Sequence, residues 1–366
     1  MSPSVDPLIE INPPEPLDNG KFGTSIAVSA DKIYISAYGN GPGAVYIFDH
    51  FGVYQSKLIA TDGVFGDEFG KSIAVFGDNV VIGAPKSDNR NGAVYYFSSG
   101  SFVRKLIASD AATSVQQQFG GSVDFSGGKI VIGASKANFE QGSVYIFNAE
   151  TFSEDTKIQH VNPNFFDNFG IAVAISGERI YVGAERASSN FAGAVYIFDL
   201  NGNSIMNIPG VSTGDFFGSS LSVNGSILLI GSPRRSNNGV ASGSASIYSL
   251  DDANVMTSAT LVAEVFPSDG SAGSNFGAST FVQSNRLYVG ADQSWNGGLG
   301  KVYRYDSNGI EIGSIVHLDG VVGDFDKFGY VIAANDNLVI TSAISQDNVD
   351  LESSGKVYIL RYSSLF

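Results

Sequence analysis

The sequence predicts an all-β protein built from seven copies of one four-stranded unit. Phe-Gly recurs along the 366 residues at intervals of about fifty, a period typical of repeat architectures. The spacing from the glycine of Phe-Gly to a later Gly or Ser, as from Gly70 to Gly83, is the same in every unit. Each unit then reaches an aromatic strand such as GAVYYF (92–97). The residues that open the units are Phe22, Phe69, Phe119, Phe169, Phe217, Phe276 and Phe328.

The composition is typical of a soluble globular chain with a large core. Apolar residues make up 43% of it, and no apolar run is long enough to insert into a membrane. The formal net charge of −15 argues against nucleic acid and anionic membrane surfaces as partners, because attraction to phosphates requires a basic face. Cysteine is absent, so neither disulfides nor thiolate metal sites are available. No secretory leader is visible, which leaves the export route open.

Each unit is predicted to contain four antiparallel strands. Those of the second unit are Lys71–Phe76, Asn79–Ala84, Ala93–Phe97 and Phe102–Ala108. The first alternates small and branched side chains, so small residues line one face and bulky residues the other. The second is apolar at consecutive positions, as expected where both faces of a sheet are covered. Gly77-Asp78, between these two strands, fits a two-residue hairpin turn.

Seven four-stranded sheets with both faces buried predict a β-propeller, in which blade packs on blade around an axis. The last unit supplies only three strands and ends at Val357–Tyr362, while Leu8–Asn12 resembles the fourth strand of a unit. We therefore expect residues 8–12 to complete the last blade and residues 1–366 to form one domain. The alternative, an open solenoid, would need capping repeats, and none is visible.

The stretch FGKSIAVFGDNVVIGAP (69–85) resembles the FG-GAP repeat, which builds the seven-bladed propeller head of integrin α subunits and of many microbial surface proteins. The resemblance extends over nearly the whole chain and implies a role in binding or adhesion. Many integrin blades carry a D-x-D-x-D-G calcium loop between their first two strands. Here the turns SADK (29–32), SGGK (126–129) and SGER (176–179) lack its acids. The chain is thus similar to microbial or viral members without the calcium loop.

No convergent catalytic or metal set is predicted. The three histidines, His50, His160 and His317, fall in different units. Acids two residues before Phe-Gly, such as Asp67 and Asp167, are expected to accept backbone N–H bonds within their loops. The alternative is a divalent cation, because hard cations prefer clustered oxygens. The acids that could share one are Asp324 and Asp326, or Asp347, Asp350 and Glu352. We expect neither a resident metal nor a cofactor.

The connections between second and third strands lengthen around the ring, whereas the turns between first and second strands stay minimal. Loops between blades emerge on the same face as the long connections, and elaborated loops on a rigid scaffold usually carry binding. Trp295, the only tryptophan, lies in such a loop and is either an exposed anchor or a local plug over the blades. The predicted ligand-binding residues are Trp295, Arg234, Arg235, Asn237, Asn238, Asp292 and Asn296.

Three functions remain open at this point. The first is a non-enzymatic binding or adhesion module that recognises a glycan or a protein through the long-loop face. The second is a structural or receptor-binding component of a virion or surface appendage, within a larger assembly. The third is a propeller enzyme with an unidentified site, which a deep polar funnel on the axis with a strongly shifted acid would favour. We expect a location at an extracellular surface or exposed on a virion.

Calcium is predicted not to be required for folding, because two-residue turns leave no room for the calcium loop. Thermal melting in excess chelator and in millimolar calcium should give the same midpoint. A gain in apparent stability of more than about 2.7 kcal/mol with calcium, the mass-action effect of a hundredfold excess over the dissociation constant, would contradict the prediction.

Overall fold

The computed structural model describes residues 8–39, 41–112, 116–160, 162–188, 190–251, 258–293, 298–316, 326–345 and 353–361. These residues form seven four-stranded antiparallel sheets, each a blade of the predicted seven-bladed propeller. Among them, no helix is long and apolar enough to cross a membrane. The assignment of all 366 residues to one domain stays a prediction.

The strands follow the chain from blade to blade. The first half comprises β1 (Ile9–Ile11), β2 (Phe22–Val28), β3 (Lys32–Ala37), β4 (Ala44–Asp49), β5 (Tyr54–Leu58), β6 (Ser72–Phe76), β7 (Asn79–Ala84), β8 (Ala93–Ser98), β9 (Ser101–Leu106), β10 (Ser122–Ser126), β11 (Lys129–Ala134), β12 (Ser143–Asn148), β13 (Glu154–Ile158) and β14 (Ala172–Ser176). The second half comprises β15 (Arg179–Ala184), β16 (Ala194–Asp199), β17 (Ser204–Pro209), β18 (Ser220–Asn224), β19 (Ile227–Ser232), β20 (Ser244–Leu250), β21 (Ala259–Val265), β22 (Phe276–Gln283), β23 (Arg286–Ala291), β24 (Lys301–Asp306), β25 (Glu311–Val316), β26 (Phe328–Ala334), β27 (Leu338–Ala343) and β28 (Lys356–Arg361). Two four-residue turns, α1 (Ser87–Arg90) and α2 (Ala137–Glu140), lie between second and third strands.

The ring closes as the sequence predicts. The first strands of neighbouring blades contact each other in the order β2, β6, β10, β14, β18, β22, β26 and back to β2, which places them around the axis. The N-terminal strand β1 pairs antiparallel with β28 and so completes the blade of β26 to β28. Ile11 lies opposite Val357 and is buried.

Burial follows the position of each strand within a blade. The second strand β7 is buried from Val80 to Ala84, which confirms that both of its faces are covered. The fourth strand β9 is exposed along most of its length, because it forms the outer edge of its blade. The predicted end of this strand at Ala108 is wrong, since pairing stops at Leu106. Ile107 is exposed, and Ala108 packs within the connection to the next blade.

Adjacent blades are joined by close contacts between backbone atoms at each Phe-Gly. Phe169 donates its N–H to the carbonyl of Gln141 in the preceding blade, at 3.1 Å. The carbonyl of Gly170 then lies against Gly133, so closely that a Cβ on Gly133 would overlap the oxygen. The same oxygen accepts a bond from the Ser122 hydroxyl at 2.8 Å. This junction explains why the position of Gly133 requires glycine in most units.

Polar side chains also tie the loops between blades to the following blade. Asp110, in the loop after β9, accepts hydrogen bonds from the Tyr145 hydroxyl at 2.9 Å and from Lys157 Nζ at 2.6 Å. Asp62 does the same one blade earlier with Tyr95 and Lys105. The loops on this side of the ring are therefore fixed by the sheets beneath them.

Gly133→Ala should destabilise the fold by about 1–3 kcal/mol, the usual effect of overpacking a close contact. Urea unfolding of the variant measures the loss. Gly127→Asn is the matched control, because no atom lies near the added Cβ and asparagine tolerates a left-handed turn. Equal stability of wild type and Gly133→Ala would mean that the blades can separate at this junction without penalty.

Candidate binding surface

The long-loop face consists of the connections between second and third strands together with the loops between blades. The two kinds of connection contact each other on this face. Phe139, in the β11–β12 connection, contacts Phe165, in the loop between β13 and β14, with ring centroids 6.1 Å apart. The opposite side, the hairpin face, carries the short turns between first and second strands.

Two connections on the long-loop face contain left-handed turns. In α2, Asn138, Phe139 and Glu140 have φ of 51°, 59° and 64°. In α1, Asp88 to Arg90 adopt the same conformation. A left-handed residue other than glycine costs about 1–2 kcal/mol, so these turns store strain. Backbone hydrogen bonds close α2, including the one from Gly142 N to the Ala137 carbonyl at 3.0 Å.

Large apolar side chains project from the long-loop face into solvent. Phe139 is 80% exposed and Phe165 is 62% exposed. Further exposed side chains on this face are Val64, Phe65, Phe166, Phe191, Val211 and Val240. The sequence alone indicated Trp295 and did not reveal these exposed side chains. Phe139 alone stands out in the sequence, because it occupies the position of Asn89 in a connection of equal length.

Arg234 and Arg235, both predicted ligand-binding residues, lie at the boundary between the fourth and fifth blades. The guanidinium of Arg234 stacks 4.6 Å from the ring centroid of Phe216. Arg186 lies over the same ring at 5.5 Å. Arg235 instead bonds Asp215 through Nη1 at 2.9 Å.

Arg235 is thereby held within the blade junction. Its Nε lies 3.3 Å from Glu264 Oε1, although without hydrogen-bond geometry, and its Nη1 also contacts the Ser212 hydroxyl. Ser212 belongs to a loop between blades, so this arginine connects that loop to the outer strand β21. Its side chain is half-buried, whereas Arg234 is exposed.

The remaining predicted residues differ in position. Asn237 and Asn238 are exposed on the connection between β19 and β20, near Arg234. Asp292 is buried and accepts a hydrogen bond from Asn275 Nδ2 at 2.9 Å. Trp295 and Asn296 lie outside the described residues, so their binding role stays a prediction. The structure brings Arg234, Asn237 and Asn238 onto one loop region.

The acids that precede Phe-Gly lie in their loops as expected. Asp67 accepts the N–H of Val64 at 2.9 Å, and Asp167 accepts that of Asn164 at 2.8 Å. Asp326 is buried, and its carbonyl accepts the N–H of Ser345. The other candidate metal ligands, Asp324, Asp347, Asp350 and Glu352, lie outside the described residues.

Potential metal ligands do not group within the described part of the chain, where no three His, Asp or Glu side chains could hold one ion. His50 contacts the carbonyl of Ser29, and His160 packs on the ring of Tyr196 in a different blade. His317 lies outside the described residues.

A family model described as the FG-GAP repeat matches residues 53–97, 101–147, 152–198 and 209–248. The first three matched segments begin close to the outer strand of one blade and end on the third strand of the next, so they reproduce the repeat read from the sequence. The chain belongs to the FG-GAP repeat family. No curated protein matches this FG-GAP propeller in sequence.

Among solved structures, the FG-GAP propeller is similar to a chain of Kuenenia stuttgartiensis hydrazine synthase. The two share 12% sequence identity and a TM-score of 0.63, over 94% of this chain and 96% of that one. At this low identity, the structural similarity shows a common fold and nothing further.

The FG-GAP propeller also has a cavity of about 680 Å³ on its axis, next to the turns of the hairpin face. Its lining includes Asp31, Asp78 and Asp124. Burial raises the pKa of Asp124 to about 6, while hydrogen bonds from the N–H groups of Ile175 and Phe125 oppose this shift. Each of these bonds is 2.8 Å long, and each engages a different carboxylate oxygen. Ile175 belongs to the next blade, so Asp124 links two inner strands. Both of its carboxylate oxygens are engaged within the ring, so this shifted acid on the axis does not by itself favour the enzyme alternative.

Asp124→Ala should remove a pH-dependent part of the stability. The carboxyl binds its proton more tightly in the folded state, with a pKa of about 6, than at the ordinary value of 3.8. Its contribution is therefore full below pH 4 and is lost as the pH rises through about 6.

Relative to the variant, wild type should lose about 3 kcal/mol of stability between pH 3 and pH 7, because each pKa unit corresponds to about 1.4 kcal/mol. Urea unfolding at several pH values measures this difference. Alanine already occupies the equivalent positions Ala74 and Ala174, so the variant should fold. A difference in unfolding free energy between wild type and variant that stays constant with pH would contradict the raised pKa of Asp124.

Proposed function

We propose that this FG-GAP propeller is a non-enzymatic binding module whose long-loop face docks on a protein partner. The observation that carries the proposal is Phe139, an exposed aromatic side chain at the tip of a strained turn. Left-handed backbone is uncommon for bulky residues, and such strain often accompanies functional sites. Interface cores are enriched in aromatic residues and arginine, both of which this face exposes.

Folding does not require a phenylalanine at this position. The turn α1 adopts the same left-handed conformation with Asn89 in place of Phe139. Asparagine favours this conformation, so the aromatic residue is the less stable choice for the isolated turn. Phe165 contacts Phe139 from a separate loop, and the pair forms an apolar contact across a blade boundary. Binding to a partner would explain why exposed phenylalanines stand at both positions. Packing within the ring does not explain them.

The predicted residues Trp295, Arg234, Arg235, Asn237, Asn238, Asp292 and Asn296 belong to the same proposal. Arg234, Asn237 and Asn238 extend the exposed surface toward the sixth blade. Recognition of a glycan by stacking on Trp295 remains the second candidate for this part of the face.

Phe139→Asn combined with Phe165→Ser should weaken partner binding by about thirtyfold or more, since a hot-spot aromatic is typically worth about 2 kcal/mol. The stability of the ring should stay unchanged or rise slightly, because asparagine suits the turn. Quantitative mass spectrometry of proteins captured from the native source by wild type and variant measures the loss, and thermal melting checks the fold.

Phe51→Ser is the matched control, because Phe51 is an exposed phenylalanine on the hairpin face between β4 and β5. A partner lost from the double variant and kept by the control supports the proposal. Capture unaffected by the double variant but lost in the control would place binding on the hairpin face. If the propeller is recovered at a fixed stoichiometry within larger particles, whichever variant is used, the structural role in an assembly is favoured instead.

A further inference from the structure

Four basic residues occupy the same repeat position in four consecutive blades. Lys86, Lys136, Arg186 and Arg234 each follow the second strand of their blade by the same number of residues. Their equivalence is structural as well, because Lys86, Arg186 and Arg234 donate backbone N–H bonds to the carbonyls of Asp67, Asp167 and Asp215. We call these four residues the basic arc.

Contacts between blades show that the basic arc is continuous over the third to fifth blades. Glu140 lies 3.0 Å from Lys136 Nζ and 3.9 Å from Arg186 Nη1. Arg186 and Arg234 then share the ring of Phe216. Stacking on this ring holds two guanidinium groups in place before any ligand arrives, which reduces the entropy lost on binding.

Carboxylates lie within 4 Å of Lys86, Lys136 and Arg186. Lys86 pairs with Glu68 at 2.7 Å, and Glu140 serves both Lys136 and Arg186. Glu185 lies 3.9 Å from Arg186 and also accepts hydrogen bonds from the neutral side chains of Asn168 and Ser219. A row of cations in four successive blades contrasts with a chain whose net charge is −15. An anionic ligand would find cationic groups in four successive blades on this arc, two of which, Lys136 and Arg186, share the carboxylate of Glu140.

A cavity of about 560 Å³ lies at the second-blade end of the arc. Phe65, Lys86, Asn89 and Arg90 contribute to its lining. Asp62, Asp67 and Asp88 also line it; Asp62 and Asp88 pair with Lys105, and Asp67 accepts the N–H of Val64. The side chain of Arg90 is exposed and makes no ion pair or hydrogen bond with any described residue. The cavity thus offers one uncommitted guanidinium beside an exposed aromatic ring.

We propose that the basic arc and the apolar side chains beside it bind an acidic segment of the partner protein, with carboxylates on the arc and apolar residues against Phe65, Phe139 and Phe165. This inference rests on the proposed docking role of the long-loop face and adds the chemistry of the partner. Arginine suits carboxylates because its planar donors bind them in pairs. The exposed phenylalanines favour a polypeptide over a polymer of phosphates or sulfates, which would leave these rings in water.

Selection of random twelve-residue peptides displayed on phage against the immobilised full chain provides the test. Recovered peptides should be enriched in Asp and Glu together with aromatic or aliphatic residues. Fluorescence anisotropy of synthetic peptides then measures affinity. Lys136→Glu with Arg186→Glu should weaken binding by about tenfold or more, because like charges now face each other. Raising the salt concentration should weaken wild-type binding as well.

Lys32→Glu with Lys129→Glu is the matched control, since it changes the net charge equally on the hairpin face. Lys136→Ala with Arg186→Ala, and thermal melting of every variant, separate lost binding from lost folding. Equal affinity of wild type and the arc variants would overturn the inference, as would peptides without acidic enrichment. Binding of heparin with no peptide recovered would also overturn it, in favour of a sulfated polymer.

The two proposals fail in different ways. Peptides that lack acids but lose binding in the Phe139→Asn and Phe165→Ser variant would leave the docking role intact and remove only the acidic partner. Peptides that bind every long-loop variant with the same affinity as wild type would contradict both proposals.

Discussion

The close approach of each Phe-Gly to the preceding blade is the constraint on which the ring depends. The carbonyl of Gly170 can reach Gly133 only because no side chain intervenes, and the Ser122 hydroxyl satisfies that carbonyl from the neighbouring strand. The phenylalanine beside it is fully buried in the blade it opens. One short sequence therefore fixes both the spacing between blades and the packing within them. The variable loops can then differ in length without disturbing the ring.

This constraint explains what the sequence could reveal. Residues that pack in every blade recur at the same position, so the seven units, their short turns and the closing strand could be read from spacing alone. The outer strands were less certain, because one of their faces contacts water and their burial pattern runs on into the following loop. Leu106 and Ala108 are both buried, yet only the first belongs to a strand.

The surface chemistry was harder to predict, because it depends on residues from different units that meet only in the folded ring. Arg186 and Arg234 are 48 positions apart and share one aromatic ring. Phe139 and Phe165 likewise come from separate loops. Asp124 stands where neighbouring units have alanine, a visible departure, but its bond to the next inner strand required the structure. Departures from the repeat are therefore the best sequence signal of special roles in such a fold.

The pairing of β1 with β28 has a consequence for how the protein is made. The ribosome releases the N-terminal strand first, yet its partner, Lys356–Arg361, emerges only after all the intervening blades. Until then, the third strand that will receive β1 does not exist, and an incomplete ring of blades has two open ends. Blades can form in order during synthesis, but the circle itself can close only after Lys356–Arg361 has been made. Nascent chains must therefore pass through an arc-shaped intermediate, exposed to chaperones and to other nascent copies.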